Sequence, residues 1–199
     1  TPPYEQLMAE KPRIRVLRNP RNRGKGYSVK QGVSAARGKF LFYTDADVTY
    51  DLSLLPDYLQ ALENGADLVI GNRIHPESYF SLHPRHFPYI YQRQVMGATY
   101  NYLVNRILKI RIQDTQCGFK CLQTQAGKAL FSEVSLEGFA FEVEMLFLAR
   151  KKGLTIEQMP VRLLYRGHPS SVRMIKDSFG MFLALLRIWK KERDGLYHG

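Results

Sequence analysis

Two aspartates one residue apart, Asp45 and Asp47, leave the apolar run Phe40-Leu41-Phe42-Tyr43-Thr44 with only Ala46 between them. On an extended segment, residues i and i+2 point the same way, so both carboxylates can face one ligand. Paired hard oxygens beside a diphosphate suit Mg2+ or Mn2+, which take carboxylate and phosphate oxygens together. Such an ion acts as a Lewis acid and neutralises charge on a departing phosphate group. The plain alternative is a solvated turn in which the aspartates cap a helix.

Other residue types along the chain fit the same chemistry. Arg23-Gly24-Lys25-Gly26 opens a helix, where close backbone approach and the helix start favour an anion. Its spacing is neither a Walker loop nor a dinucleotide fingerprint, and a tight turn with a solvated Lys25 explains it equally well. Arg73 and Arg93 are candidates for phosphate oxygens, which guanidinium forks match bidentately. Asp114 opens the run Asp-Thr-Gln-Cys-Gly-Phe-Lys, ending at Lys120, where a carboxylate serves as a base, a metal-site organiser or a helix cap.

These residues need elements to position them. Ile14–Leu17 is short and β-branched, which predicts a strand ending at Asn19-Pro20. A helix is expected over Ser28–Arg37 with Gly38 as its C-terminal cap, a strand over Phe40–Thr44, a helix over Leu52–Glu63 and a strand over Asp67–Ile70. Near-continuous apolar strands alternating with helices predict a parallel, helix-covered sheet, in which ligands sit at the carboxyl ends of strands. Asp45–Asp47 and Gly71-Asn72-Arg73 fall at two such ends. Residues 75–88 form a polar, proline-containing loop long enough for a functional flap. Helices are expected over Tyr91–Lys109, with Met96, Tyr100, Leu103 and Ile107 on one stripe, and over Phe139–Lys152, with Phe139, Val143 and Leu146 inward. A strand over Thr155–Tyr165 and a last helix over Val172–Lys190 complete the expectation of one domain spanning 1–199.

Composition narrows the partners. The chain has 199 residues and a net charge of +11, from 29 basic and 18 acidic residues, which favours polyanionic partners such as phosphorylated molecules or anionic lipid. Basic residues are scattered and never form a block of five, which argues against a nucleic-acid tail. The two cysteines, Cys117 and Cys121, make neither a zinc site nor a disulfide framework, so reduced thiols are expected. The polar start at Thr1 is not a signal peptide, and no stretch of about 18 apolar residues spans a bilayer. The apolar segment Phe179–Trp189 reaches only about 16 Å as a helix. Flanked by Lys176, Lys190, Lys191 and Arg193, it reads as an interfacial helix or as a packing helix.

Taken together, several motifs resemble family 2 glycosyltransferases of the GT-A fold, particularly dolichyl-phosphate β-glucosyltransferases, with dolichyl-phosphate mannose synthases as near relatives. The motifs are Asn22-Arg23-Gly24-Lys25-Gly26, Tyr43-Thr44-Asp45-Ala46-Asp47, Gly71-Asn72-Arg73-Ile74-His75, Asp114 through Lys120 and Phe139-Ala140-Phe141-Glu142-Val143-Glu144. In fold, the resemblance implies an α/β, mostly parallel GT-A sheet flanked by helices, with the family's first strand or strands preceding Thr1 and with a C-terminal interfacial helix.

In function, it implies inverting transfer of a hexose, from UDP-glucose, onto dolichyl or polyprenyl phosphate at the cytoplasmic face of a membrane, with Mg2+ or Mn2+ as cofactor. Asp45 then helps hold nucleotide and metal, and Asp47 is the principal metal ligand and a catalytic residue. Lys25 and Arg166 belong to the nucleotide-sugar site, the latter in a loop with Ser170 and Ser171. Arg73 and Arg93 bind the acceptor phosphate, and Asp114 is an active-site aspartate. A base is dispensable, because a phosphate acceptor is already ionised near neutral pH. Glu142 stands where relatives often carry Asp. Mannosyl or other hexosyl transfer, a soluble hydroxyl acceptor, a non-catalytic membrane-surface module and, more weakly, nucleic-acid binding are the alternatives.

Overall fold

The computed structural model describes residues 13–45, 49–81, 87–164 and 174–197. Residues 13–24 are irregular, so the expected strand at Ile14–Leu17 is not found. Ile14 and Val16 are half-buried between exposed neighbours, as a strand requires, but no neighbouring strand among the described residues pairs with them. The segment is tied instead by the Arg15 guanidinium, which donates to the Ala35 carbonyl at 2.9 Å.

Helix α1 (Lys25–Ala35) begins directly after Gly24, whose φ of 99° lies in the left-handed region that glycine tolerates. A Cβ there would sit 2.5 Å from the Glu137 carbonyl oxygen. The glycine turn starts the helix earlier than Ser28, and Ala36, already extended, ends it before Gly38.

Strand β1 (Phe40–Thr44) follows, then a short 3-10 turn at Leu52–Leu54 capped by Asp51, which accepts from the Ser53 amide at 3.0 Å. The turn runs into α2 (Leu55–Glu63), and β2 (Leu68–Asn72) is buried at every position. The polar loop after it contributes β3 (Tyr79–Ser81). Helix α3 (Phe87–Leu108) is followed by β4 (Phe119–Gln123), α4 (Thr124–Glu133) and α5 (Phe141–Lys151). The expected Thr155–Tyr165 strand divides into β5 (Ile156–Pro160) and β6 (Arg162–Leu164). Buried Val161 lies between them, where its amide is taken by Ser78 Oγ at 2.9 Å. The last helix, α6, covers Met174–Arg193.

The main sheet has the order β1-β4-β2-β5, and β3 pairs in parallel with β6 in a second, two-stranded sheet. β2 and β5 are parallel, while β4 runs antiparallel to both β1 and β2. β1, β2 and β5 therefore share a direction, as the apolar runs predict, and β4 is the exception. The chain returns from the end of α3 through residues 109–118 along the carboxyl edge of the sheet, and so enters β4 from that edge.

Alternate residues of β4 serve opposite faces. Phe119 and Cys121 pack with Tyr58, Ala61 and Leu62 of α2, while Leu122 joins the larger core built with α1, α3, α4, α5 and α6. α5 is buried from Phe141 to Ala149, including two glutamates in its first turn, where the helix dipole favours negative charge. Glu144 is fully buried and accepts from the Ser135 and Leu136 amides and from the Tyr197 hydroxyl, all within 2.9 Å. Tyr197 thereby docks the end of α6. That helix is two-faced: Leu185 and Ile188 are buried, while Phe179, Phe182, Leu183, Leu186 and Trp189 are exposed. One side packs into the core, as expected of a packing helix, and the other presents apolar side chains outward.

Candidate active site

Two charged clusters stand at carboxyl ends of strands that share a direction. At the end of β1, the Asp45 amide donates to the Gly118 carbonyl at 3.2 Å, and its carboxylate pairs with Lys25 Nζ at 2.6 Å. Gly24 places Lys25 at the first position of α1, aimed back at β1. Lys25 also reaches Glu142 Oε1 at 3.4 Å, and Lys120 Nζ reaches the same oxygen at 3.3 Å. Lys120 is fully buried and also donates to the Cys117 carbonyl. Burial lowers the Lys25 pKa, but Glu142 and Asp45 outweigh it and hold the ammonium above its ordinary value. The result is an alternating series, Asp45, Lys25, Glu142, Lys120, running from the strand end into the core.

Gly118 makes room for this arrangement. A Cβ on it would lie 2.0 Å from Asp45 Oδ2, so the carboxylate packs on bare backbone. The Gly118 amide donates to the buried Tyr50 hydroxyl at 3.3 Å. Beside Asp45, the Thr44 hydroxyl is buried with no hydrogen-bond partner among the described residues.

At the end of β2, Arg73 and Asp114 form a fork. Nε donates to Oδ2 at 2.7 Å and Nη2 to Oδ1 at 2.8 Å. The Arg73 amide adds a bond to Oδ2 at 3.0 Å, and the Gln116 amide one to Oδ1 at 3.2 Å. Burial raises the Asp114 pKa, but Arg73 at contact distance more than reverses this, holding the carboxyl below its ordinary range. Both oxygens are occupied and the group is ionised, which is the arrangement of an orienting carboxylate. Asn72 and Gln113 extend the contact, with Asn72 Nδ2 donating to Gln113 Oε1 at 2.5 Å.

The structure thus brings Lys25 to Asp45 and Arg73 to Asp114. Arg93 is exposed in the second turn of α3. Asp47 and Arg166, with Ser170 and Ser171, lie outside the described residues. Among the described residues, no group of three or more His, Cys, Asp or Glu side chains forms a metal cluster. Lys120 closes the Asp114 motif, and the motif alone assigns it no role. The signal was there, since a lysine between Phe119 and Cys121 in a buried strand needs an internal counter-charge. Asn101 and Asn105, which grip the Asp114 loop, were missed, although two asparagines at i and i+4 share one helix face.

Residues 3–130 match the model of the family described as Glycosyl transferase family 2. The chain belongs to glycosyltransferase family 2. It is 32% identical over 188 residues, 89% of its length, to a Dictyostelium discoideum protein named dolichyl-phosphate beta-glucosyltransferase, covering 56% of that protein. It is 31% identical over 93% of its length to glycosyltransferase AglD of Haloferax volcanii, covering 28% of that protein.

The chain therefore spans about half the length of most of the curated relatives it matches, and less of the archaeal one. The fold of this chain is also that of glucosyl-3-phosphoglycerate synthase from Mycobacterium tuberculosis. A crystal structure of that protein with phosphoglyceric acid gives a TM-score of 0.58 at 14% identity, covering 92% of this chain and 59% of the other. Another, with Mn2+, UDP-glucose and glycerol 3-phosphate, gives 0.55 at 15% identity, with the same coverage. Among the described residues, no helix of the chain is long and apolar enough to cross a membrane.

Proposed function

We propose that this chain is the catalytic part of an inverting glucosyltransferase that moves glucose from UDP-glucose to dolichyl or polyprenyl phosphate. The observation that carries the reading is the pairing of two unlike poles, an acidic strand end with an adjacent lysine and an arginine fork on the next co-directional strand. Relatives named as dolichyl-phosphate glucosyltransferases supply the substrate pair, and a solved structure of the same fold holding Mn2+ with UDP-glucose supplies the donor chemistry.

Asp45 and Asp47 hold the metal, Mg2+ or Mn2+. The hard-oxygen donor set fits such an ion, although the described residues contribute only Asp45. When bound, the metal neutralises charge on the leaving diphosphate. Lys25 competes for Asp45 and retains Glu142 when it lets go, which keeps its ammonium beside the diphosphate. Arg166 belongs to the same nucleotide-sugar site.

On the acceptor side, Arg73 directs the N–H groups not used by Asp114 at the acceptor phosphate, with Arg93 as a second cation. The phosphate is already an anion at neutral pH, so it attacks the anomeric carbon without a base. Asp114, ionised and fully hydrogen-bonded, keeps the guanidinium aimed. The exposed apolar face of α6, followed by Lys190, Lys191 and Arg193, rests on an anionic bilayer surface on the cytoplasmic side.

The deciding experiment is a turnover assay of the full chain with UDP-glucose or GDP-mannose and a short polyprenyl phosphate, with and without chelator. Transfer of glucose with inversion, lost on chelation and in Asp47→Ala, is expected. A preference for GDP-mannose would replace the donor, and turnover of a soluble acceptor alone would overturn the lipid reading.

A further inference from the structure

The segment that delivers Asp114 is held in a conformation it would not adopt unaided. After α3 the chain reverses through Lys109 and Arg111, whose φ values of 55° and 56° are left-handed and unfavourable for residues other than glycine. Buried Ile110 and Ile112 alternate with them and anchor the returning strand of chain in the core. Asn101 and Asn105, one turn apart on α3, bind this segment. Asn105 pairs with the backbone of one residue: its Oδ1 accepts from the Ile112 amide at 2.9 Å and its Nδ2 donates to the Ile112 carbonyl at 2.7 Å.

Asn101 does something different, because it grips both sides of Asp114. Its Nδ2 donates to the Ile112 carbonyl at 3.1 Å and to the Gln113 carbonyl at 2.7 Å. Its Oδ1 accepts from the Thr115 amide at 3.2 Å and the Thr115 hydroxyl at 2.9 Å. Every hydrogen-bonding direction of this amide is therefore committed to the residues that flank one carboxylate. Asp114 is fixed at its backbone before its side chain meets Arg73.

We infer that Asn101 is a positioning residue for the Arg73–Asp114 fork, setting where the guanidinium presents its remaining N–H groups to a phosphorylated acceptor. The inference rests on the reading of Arg73 as the acceptor phosphate's partner. Asn105 grips only Ile112 in this segment and supports the loop without framing Asp114.

Asn101→Ser, which shortens the side chain, and the near-isosteric Asn101→Asp, which cannot donate to the two carbonyls, are compared with Asn105→Ser in the full chain. Two quantities are read: acceptor KM against UDP-glucose KM, and solvent exchange of the Arg73 Nε–H by 15N NMR. Asn101→Ser is expected to raise acceptor KM about tenfold, the scale of a misplaced binding group, leaving the donor KM unchanged and speeding Nε–H exchange. Asn105→Ser should lower the melting temperature while leaving the Nε–H exchange slow. A Nε–H signal as protected in the Asn101 variants as in wild type overturns the inference, whatever happens to KM. Faster exchange with no change in acceptor KM upholds the positioning and overturns Arg73 as the phosphate's partner.

Discussion

Lys25 and Arg73 each bring a positive charge to the carboxyl end of a sheet strand, but they are held in different ways. Lys25 is a point charge on a flexible stem, shared between Asp45 at 2.6 Å and Glu142 at 3.4 Å. Arg73 is a planar fork locked to a single carboxylate by two side-chain bonds and one from its own amide. A shared lysine can exchange partners one at a time, and the buried Lys120–Glu142 contact behind it keeps Glu142 compensated while it does so. A locked fork cannot exchange without losing its orientation. The β1 cluster is thus suited to a ligand that brings its own cation, and the β2 cluster to an anion that must meet a fixed set of donors.

The sharpest way to break that contrast is to remove the charge beneath Lys25. Lys120→Met leaves buried Glu142 with only the longer contact to Lys25. Stability should fall by about 3–5 kcal/mol, the usual cost of orphaning one partner of a buried pair. The double variant Lys120→Met with Glu142→Leu should recover most of the loss, as both charges then leave the core. Urea denaturation of the two variants measures this. A single-variant loss below about 1 kcal/mol would mean that Lys25 compensates Glu142 alone, and that the series of four charges is not a unit.

A smaller and more local change sharpens the same comparison. Gly118→Ala puts a methyl group 2.0 Å from Asp45 Oδ2, far inside contact distance. The flexible carboxylate must swing away from Lys25, at a cost of about 1–3 kcal/mol in stability. Metal-dependent turnover should drop by about a hundredfold, while acceptor KM stays unchanged because Arg73 and Asp114 are untouched. Full turnover at wild-type metal concentration would show that Asp45 is not held where the metal needs it.

How much of this was legible follows from the range of each interaction. β1, β2 and α2 lie close to the expected residues because each is a local apolar run with its own stop signal, such as Asn64-Gly65. The pairing of β4 between β1 and β2 was not readable, since strand order is set by contacts among residues 40, 70 and 120 that no local pattern encodes. The Ile14–Leu17 run has the right alternation but pairs with no strand among the described residues, which composition cannot report. Arg73 and Asp114 could each be picked out by type, but their mutual fork depends on a loop with two left-handed residues, Lys109 and Arg111, neither of them glycine. The asparagine clamp that makes this affordable sits a turn or more upstream on α3, outside any motif containing Asp114.

The least drastic test concerns protons rather than atoms. Asp114→Asn keeps the size of the side chain and removes the charge facing Arg73. The folded carboxyl is held below its ordinary value, so the stabilisation it provides is complete above the unfolded value of about 4 and is lost as pH falls through the folded one. Wild type should therefore exceed Asp114→Asn by about 1–3 kcal/mol near neutral pH, toward the lower end because the Arg73 side chain is 34% exposed and partly screened. The gap should close as the medium is acidified below the ordinary carboxylate range. Urea denaturation from pH 7 to pH 3, in about 0.15 M salt to keep screening constant, reads the difference directly. A gap that stays constant over that interval would assign the loss to the amide's replacement of an acceptor oxygen facing the Arg73 donors rather than to charge, and the absence of any gap would mean that the side chain holds Arg73 by shape alone. A gap that closes on acidification while the Lys25 cluster is unaltered would place the pH sensitivity of this stabilisation at the β2 cluster, where the locked geometry leaves no other carboxylate in the fork to take over.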